Sequence, residues 1–143
     1  MTILPAILHE QITTLLDEGD KHFEKGRDEQ ALAKYREAEA LLPTERERFE
    51  ASTIVLTAIG DTLFQLRDFS AASDTLILAL RCPDGEGNPF IHLRLGQCAL
   101  ELGNEARAAD QLGQAFESGG LDVFEDEDAH YLAFLKERVG LVL

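Results

Sequence analysis

Small residues recur along this chain at a spacing that only stacked helix pairs explain. Gly19, Ala31, Tyr35, Ala38 and Pro43 occupy the positions of one helix-turn-helix unit. Most of the pattern returns at Gly60, Ala72, Leu76 and Ala79, and again at Gly96, Ala108, Leu112 and Ala115. A unit of this size cannot bury its apolar face alone, so the units must stack, and a stack leaves a surface suited to binding rather than catalysis. Glycine inside a helix costs up to about 1 kcal/mol against alanine. Three glycines at one structural position therefore imply close helix crossings. Ala31, Ala72 and Ala108 are expected to face Gly19, Gly60 and Gly96 from the second helix of each pair, with Tyr35, Leu76 and Leu112 one turn later on the same side.

The first helix should run from about Pro5 to Lys25 and end at Gly26, with Ile12, Leu15, Leu16 and Phe23 on its apolar side. Asp28 is placed to cap a second helix reaching Leu42, where Pro43 stops it. Thr44 and Glu47 have capping-box spacing, so Thr44 to Ala51 is expected to extend the third helix. Gly19 and Gly60 are 41 residues apart and Gly60 and Gly96 are 36 apart, which locates the surplus in that charged stretch. Leu66-Arg67-Asp68 turns the chain into a fourth helix ending near Cys82-Pro83. Asp84 to Pro89 is a loop in which Asn88 can cap and Pro89 can take the first helical position. Gly103-Asn104 separates the next two helices, and Gly119-Gly120 closes the unit. The repeats then cover about 5–43, 44–84 and 88–120. A seventh helix at about 126–141, carrying Tyr131, Leu132, Leu135 and Val139, covers the last pair within a single domain, 1–143. The apolar end, Val139, Leu141, Val142 and Leu143, either folds back onto the core or forms a self-association patch.

The net charge of −14 argues against nucleic acid and anionic membranes as partners. It favours a partner with a basic surface, or serves solubility alone. No apolar run is long enough to span a membrane, and the residues from Met1 to Pro5 lack the positive region of a secretory signal. Cys82 and Cys98 have no metal-like spacing and read as small apolar residues of a reduced, cytoplasmic chain. His9, His22, His92 and His130 are scattered, read as surface or partly packed residues, and form no metal site. Glu125 to Asp128 lacks a glycine-centred calcium loop, and its charges suit the start of a helix. No Ser or Cys has a recognisable His partner, so no catalytic residue, metal or cofactor is expected.

The spacing of Gly19, Ala31, Tyr35, Ala38 and Pro43 resembles the tetratricopeptide family. In the second unit Pro83 falls one place early, in the third Gly120 replaces the proline, and the aromatic opener becomes Leu15, Leu56 or His92. The resemblance implies an all-α, right-handed superhelix of three helix pairs plus a capping helix. It further implies that partner-binding positions flank each packing glycine on a concave groove: Leu16, Asp20, Phe23 and Glu24; Thr57, Asp61, Phe64 and Gln65; and Leu93, Gln97, Leu100 and Glu101. Phe23 and Phe64 recur in Gly-Asp-x-x-Phe and read equally as packing between repeats. Some relatives hold a carboxylate with Lys and Asn on this surface. Here carboxylates stand instead, which favours a basic or amphipathic partner segment, while the same acids also read as a solvated face. Gly87-Asn88-Pro89-Phe90-Ile91-His92-Leu93-Arg94-Leu95-Gly96-Gln97 resembles small bacterial tetratricopeptide proteins found beside polymorphic or Rhs-type toxins. That implies an immunity protein that binds and inhibits a toxin. The alternatives are a secretion chaperone and a general adaptor.

Overall fold

Each of the three packing glycines lies beneath a large side chain of the helix that follows it. This is seen in a computed structural model that describes residues 3–140. Among these residues there are seven α-helices, two 3-10 turns and no strand. The chain divides into two compact units, Met1–Glu86 and Gly87–Leu143.

The first unit contains α1 (Ala6–Glu24), α2 (Asp28–Ala40), α3 (Glu50–Gln65) and α4 (Phe69–Leu80). Neighbouring helices pack in sequence, and α1 also touches α3. A Cβ added at Gly19 would fall on the ring of Tyr35, and one at Gly60 would lie 2.5 Å from Cγ and Cδ2 of Leu76. The nearest neighbours of these glycines are thus the large residues, not Ala31 and Ala72, which are nonetheless fully buried. Helical side chains lean toward the amino terminus, so a residue covers the turn preceding its own Cα. Tyr35 and Leu76 therefore reach the crossings from one turn further along than the alanines.

Two local expectations are corrected. Arg27, not Asp28, is the N-cap of α2, and Asp28 sits in the first turn, where its charge still favours the helix dipole. Thr44 to Phe49 does not extend α3. It forms a 3-10 turn at Arg46–Arg48, and Phe49 is extended at φ −122°, ψ 131° before α3 begins at Glu50. Phe49 is buried, and its extended backbone separates the 3-10 turn from α3. Arg46 bonds back to Glu39 at 3.4 Å. At the far end of the unit the Thr53 hydroxyl donates to the Pro83 carbonyl at 2.6 Å and ties α3 to the exit of α4.

The second unit contains α5 (Pro89–Glu101), α6 (Glu105–Gly119) and α7 (Ala129–Val139), with a 3-10 turn at Leu121–Phe124. Asn88 Oδ1 accepts from the amides of Phe90 and Ile91 at 3.0 and 3.3 Å, and Pro89 opens α5 as its sequence requires. A Cβ at Gly96 would meet Leu112 Cγ at 2.6 Å and the Leu112 amide at 2.9 Å. Leu93, Leu112, Ala115, Phe124 and Leu135 make the core, with Phe90, Phe116 and Leu132 packed around it.

α7 starts at Ala129, three residues later than 126, because the chain spends Leu121–Phe124 on the 3-10 turn that delivers Phe124 to this core. Val139 is 55% exposed and does not fold back; Leu141, Val142 and Leu143 lie outside the described residues. Asp128 caps α7 by accepting from the His130 amide at 3.0 Å. That bond, and a second from the His130 ring, hold the Asp128 carboxyl below its ordinary range. The cap's contribution is therefore complete above the ordinary carboxylate range and is lost as pH falls through the depressed value. Protection of the His130 amide, measured against its intrinsic exchange rate, is expected to fall as acid protonates Asp128, and to be reduced already at neutral pH in Asp128→Ala.

Candidate partner-binding surface

On α5 the polar residues are used inside the protein. His92 is fully buried, not a surface residue: its Nε2 accepts from the Gly87 amide at 3.0 Å, and Nδ1 lies 2.8 Å from Gln111 Oε1. An amide can only donate, so the proton sits on Nδ1 and is donated to Gln111. Arg94 is 5% exposed, donates to Gln97 Oε1 at 2.7 Å and to Glu127 Oε1 at 2.5 Å, and stacks on Phe90 with its guanidinium carbon 4.7 Å from the ring centre. Gln97 completes the triangle by donating to Glu127 at 2.7 Å.

Three of the four groove positions expected on α5 are therefore engaged within the unit. Leu93 and Gln97 are buried, which corrects their assignment as partner-facing residues. Glu101 accepts from the Tyr131 hydroxyl at 3.0 Å. The cause is the segment from Leu121 to α7, which packs on this face and supplies Phe124, Glu127, Tyr131 and Leu135. Leu100 is half-buried. The polar side chains of Gly87 to Gln97 are thus engaged in the Asn88 cap, the His92 bonds to Gly87 and Gln111, and the Arg94 triangle.

The first unit is different. Asp20 and Glu24 are exposed on α1 and Asp61 is half-buried on α3. Tyr35, rising from α2, donates to Asp20 at 2.6 Å. Its hydroxyl is held far above the ordinary phenol range, first by burial, then by Asp20, and then by the charges of Asp61 and Glu24. Three of the expected groove carboxylates thus act on one buried oxygen. α3 contains no Lys or Arg, and α1 contains none before Lys21. Lys34 of α2 is engaged by Glu18 at 3.0 Å and Glu37 at 3.6 Å. Leu16, Phe23 and Thr57 are half-buried beside the acids, and Gln65 is exposed. Phe64 packs edge-on against Phe69 at 5.6 Å, so at least part of its ring serves packing within the unit.

Both cysteines are buried and reduced. Burial pushes the Cys98 thiol up to about 12 and raises Cys82, to which the charge of Glu47 adds. Neither is a nucleophile at neutral pH. Native protein mixed with a chromogenic disulfide reagent at pH 8 is expected to show neither thiol reacting until denaturant is added. A rapid native burst would contradict their burial.

No family model matches the chain, and no curated protein matches it. Solved structures do. The first tetratricopeptide domain of Spaghetti (RPAP3), bound to the HSP90 peptide SRMEEVD, is similar with a TM-score of 0.70 at 16% identity, covering 92% of each chain. The carboxy-terminal tetratricopeptide domain of a Plasmodium falciparum protein described as FK506-binding gives 0.73 at 15% identity, covering 93% of this chain and 89% of that one. MamA gives 0.60 at 19%, covering 92% and 78%. The chain has the all-α, helix-pair fold of tetratricopeptide domains, with three pairs and a terminal helix.

Proposed function

We propose that this chain is a non-catalytic, cytoplasmic protein-binding module that engages a cationic surface of its partner through α1 and α3 of the first unit. The carrying observation is that Asp20, Glu24 and Asp61 stand on helices poor in Lys and Arg, with Asp20 fixed by the Tyr35 hydroxyl at 2.6 Å. Carboxylates held at fixed positions on helices attract a basic partner at long range and set its register at contact. The Spaghetti domain is bound to a peptide containing Glu-Glu-Val-Asp, and the surface here has the opposite polarity to one that would welcome such a ligand.

The cellular role we infer is immunity: the chain occludes a toxin whose active cleft is basic, with carboxylates standing where the toxin would hold phosphate or another anion. Support comes from the acidity of α1 and α3 and from the resemblance carried by Gly87 to Gln97. Because that stretch builds the second unit, the toxin contact is assigned to the first.

Co-expression with the product of each gene that flanks the chain's own, each first scored for toxicity alone, tests this. Wild type is expected to restore growth, and the Asp20→Lys, Glu24→Lys, Asp61→Lys variant to fail while keeping its helical circular dichroism. Binding without rescue would make the chain a secretion chaperone or adaptor. Full rescue by the charge-reversed variant would refute the assigned surface.

A further inference from the structure

The first unit also exposes aliphatic side chains that its own fold does not cover. Ile3 is 82% exposed and Ile54 is 58% exposed. Both lie at the mouth of a cavity of about 200 Å³ whose walls include Leu4, Ile12, Leu16 and Phe49. Among the described residues its ionisable lining groups are His9 and Glu50, and none is a Lys or Arg.

The cavity is continuous with the acidic surface. Leu16 lines its wall and stands one turn before Asp20 on α1; Ile54 lies at its mouth and stands two turns before Asp61 on α3. At 1.5 Å per residue the offsets along the helices are about 6 and about 10 Å.

Resting on the reading that α1 and α3 bind a cationic partner, we propose that this cavity is the anchor pocket for that partner's segment. The occupant is an amphipathic helix that inserts one bulky aliphatic side chain between Ile3 and Ile54. Lysines or arginines four and seven residues further along the same helical face then meet Asp20 and Asp61. Charge selects this occupant: the pocket's single carboxylate and the acids beyond it repel an anionic segment and complement a basic one. The offsets select a helix, because positions i, i+4 and i+7 share one face at this rise.

Fluorescence anisotropy with labelled synthetic helices tests the proposal. One peptide carries Leu at the anchor position and Lys at i+4 and i+7, a second replaces that Leu by Ala, and a third replaces the lysines by Glu. Wild type is expected to bind the first at least tenfold more tightly than the second and not to bind the third. Ile54→Asn and Ile3→Asn alter exposed residues without adding charge and should abolish that tenfold preference while leaving the second peptide's affinity unchanged. Glu24→Lys with Asp61→Lys should weaken both cationic peptides.

Equal affinity for the first two peptides, still lost on charge reversal, would overturn the anchor pocket and leave the electrostatic reading intact. Failure of wild type to bind either cationic peptide would overturn both. A dimer in sedimentation that Ile54→Asn dissociates would assign the patch to a second copy of the chain, and would also overturn the proposal.

Discussion

Glu127→Ala is expected to destabilise the protein by about 3 kcal/mol or more, the largest loss of any single polar truncation in the second unit. The carboxylate it removes is bonded at 2.5 Å by Arg94, whose side chain is 7% exposed, and at 2.7 Å by the fully buried Gln97. Glu127 is itself mostly shielded, at 16%. Removing one partner of a shielded pair withdraws a countercharge in a medium that solvates charge poorly, and costs about 3–5 kcal/mol in comparable sites. For a chain of this length that corresponds to roughly 10 °C in melting temperature. The same physics separates this result from simple loss of packing. Replacing Arg94, Gln97 and Glu127 together by Met removes the charges and all three hydrogen bonds of the triangle, and should recover most of the loss. Thermal melts of the single and triple variants check this, and a triple variant melting below Glu127→Ala would contradict it.

Gly60→Leu is expected to cost at least the upper part of the 1–3 kcal/mol typical of overpacking. A Cβ there already lies 2.5 Å from two carbons of Leu76, and a leucine adds three more carbons in a crossing closed by a buried side chain. The better intrinsic helix propensity of the new residue, worth up to about 1 kcal/mol, does not offset this. Gly60→Ala isolates the contact. Alone it should destabilise, but with Leu76→Ala the added methyl partly fills the space vacated. The double variant should then be more stable than the sum of the single effects by about 1 kcal/mol. Additivity in urea titrations would show that Gly60 and Leu76 do not meet.

The helix pairs were legible because their signal is local and periodic. Gly19, Gly60 and Gly96 mark the crossings, Asn88 and Pro89 start α5, and Asn104 caps α6 by accepting from the Arg107 amide. The carboxylates of α1 and α3 were legible for the same reason, since their place on a helix face follows from their distance to the glycine. What escaped sequence reasoning depends on distant residues. Arg94 and Glu127 are 33 positions apart, and nothing in either neighbourhood names the other. A basic residue inside the apolar run from Phe90 to Leu95, taken with the acidic run from Glu125 to Asp128, was the available signal. The sequence leaves His92 as a surface or partly packed residue, and its full burial escapes because its partners are the Gly87 amide and Gln111, a backbone group and a residue of another helix. The expected extension of α3 fails at Phe49, whose extended backbone caps the helix and whose ring is buried, a tertiary contact that the Thr44–Glu47 spacing does not report. The same terminal segment that hides Leu93 and Gln97 explains why groove positions inferred from spacing alone differ between the two units.

The central claim, that the acidic face of α1 and α3 recruits a basic partner, is tested most directly by the association rate of that partner as salt is raised. Stopped-flow mixing from 50 to 500 mM sodium chloride is expected to slow association at least tenfold for wild type, with little slowing left in the Asp20→Lys, Glu24→Lys, Asp61→Lys variant. A wild-type rate that stays constant across that range would contradict the claim.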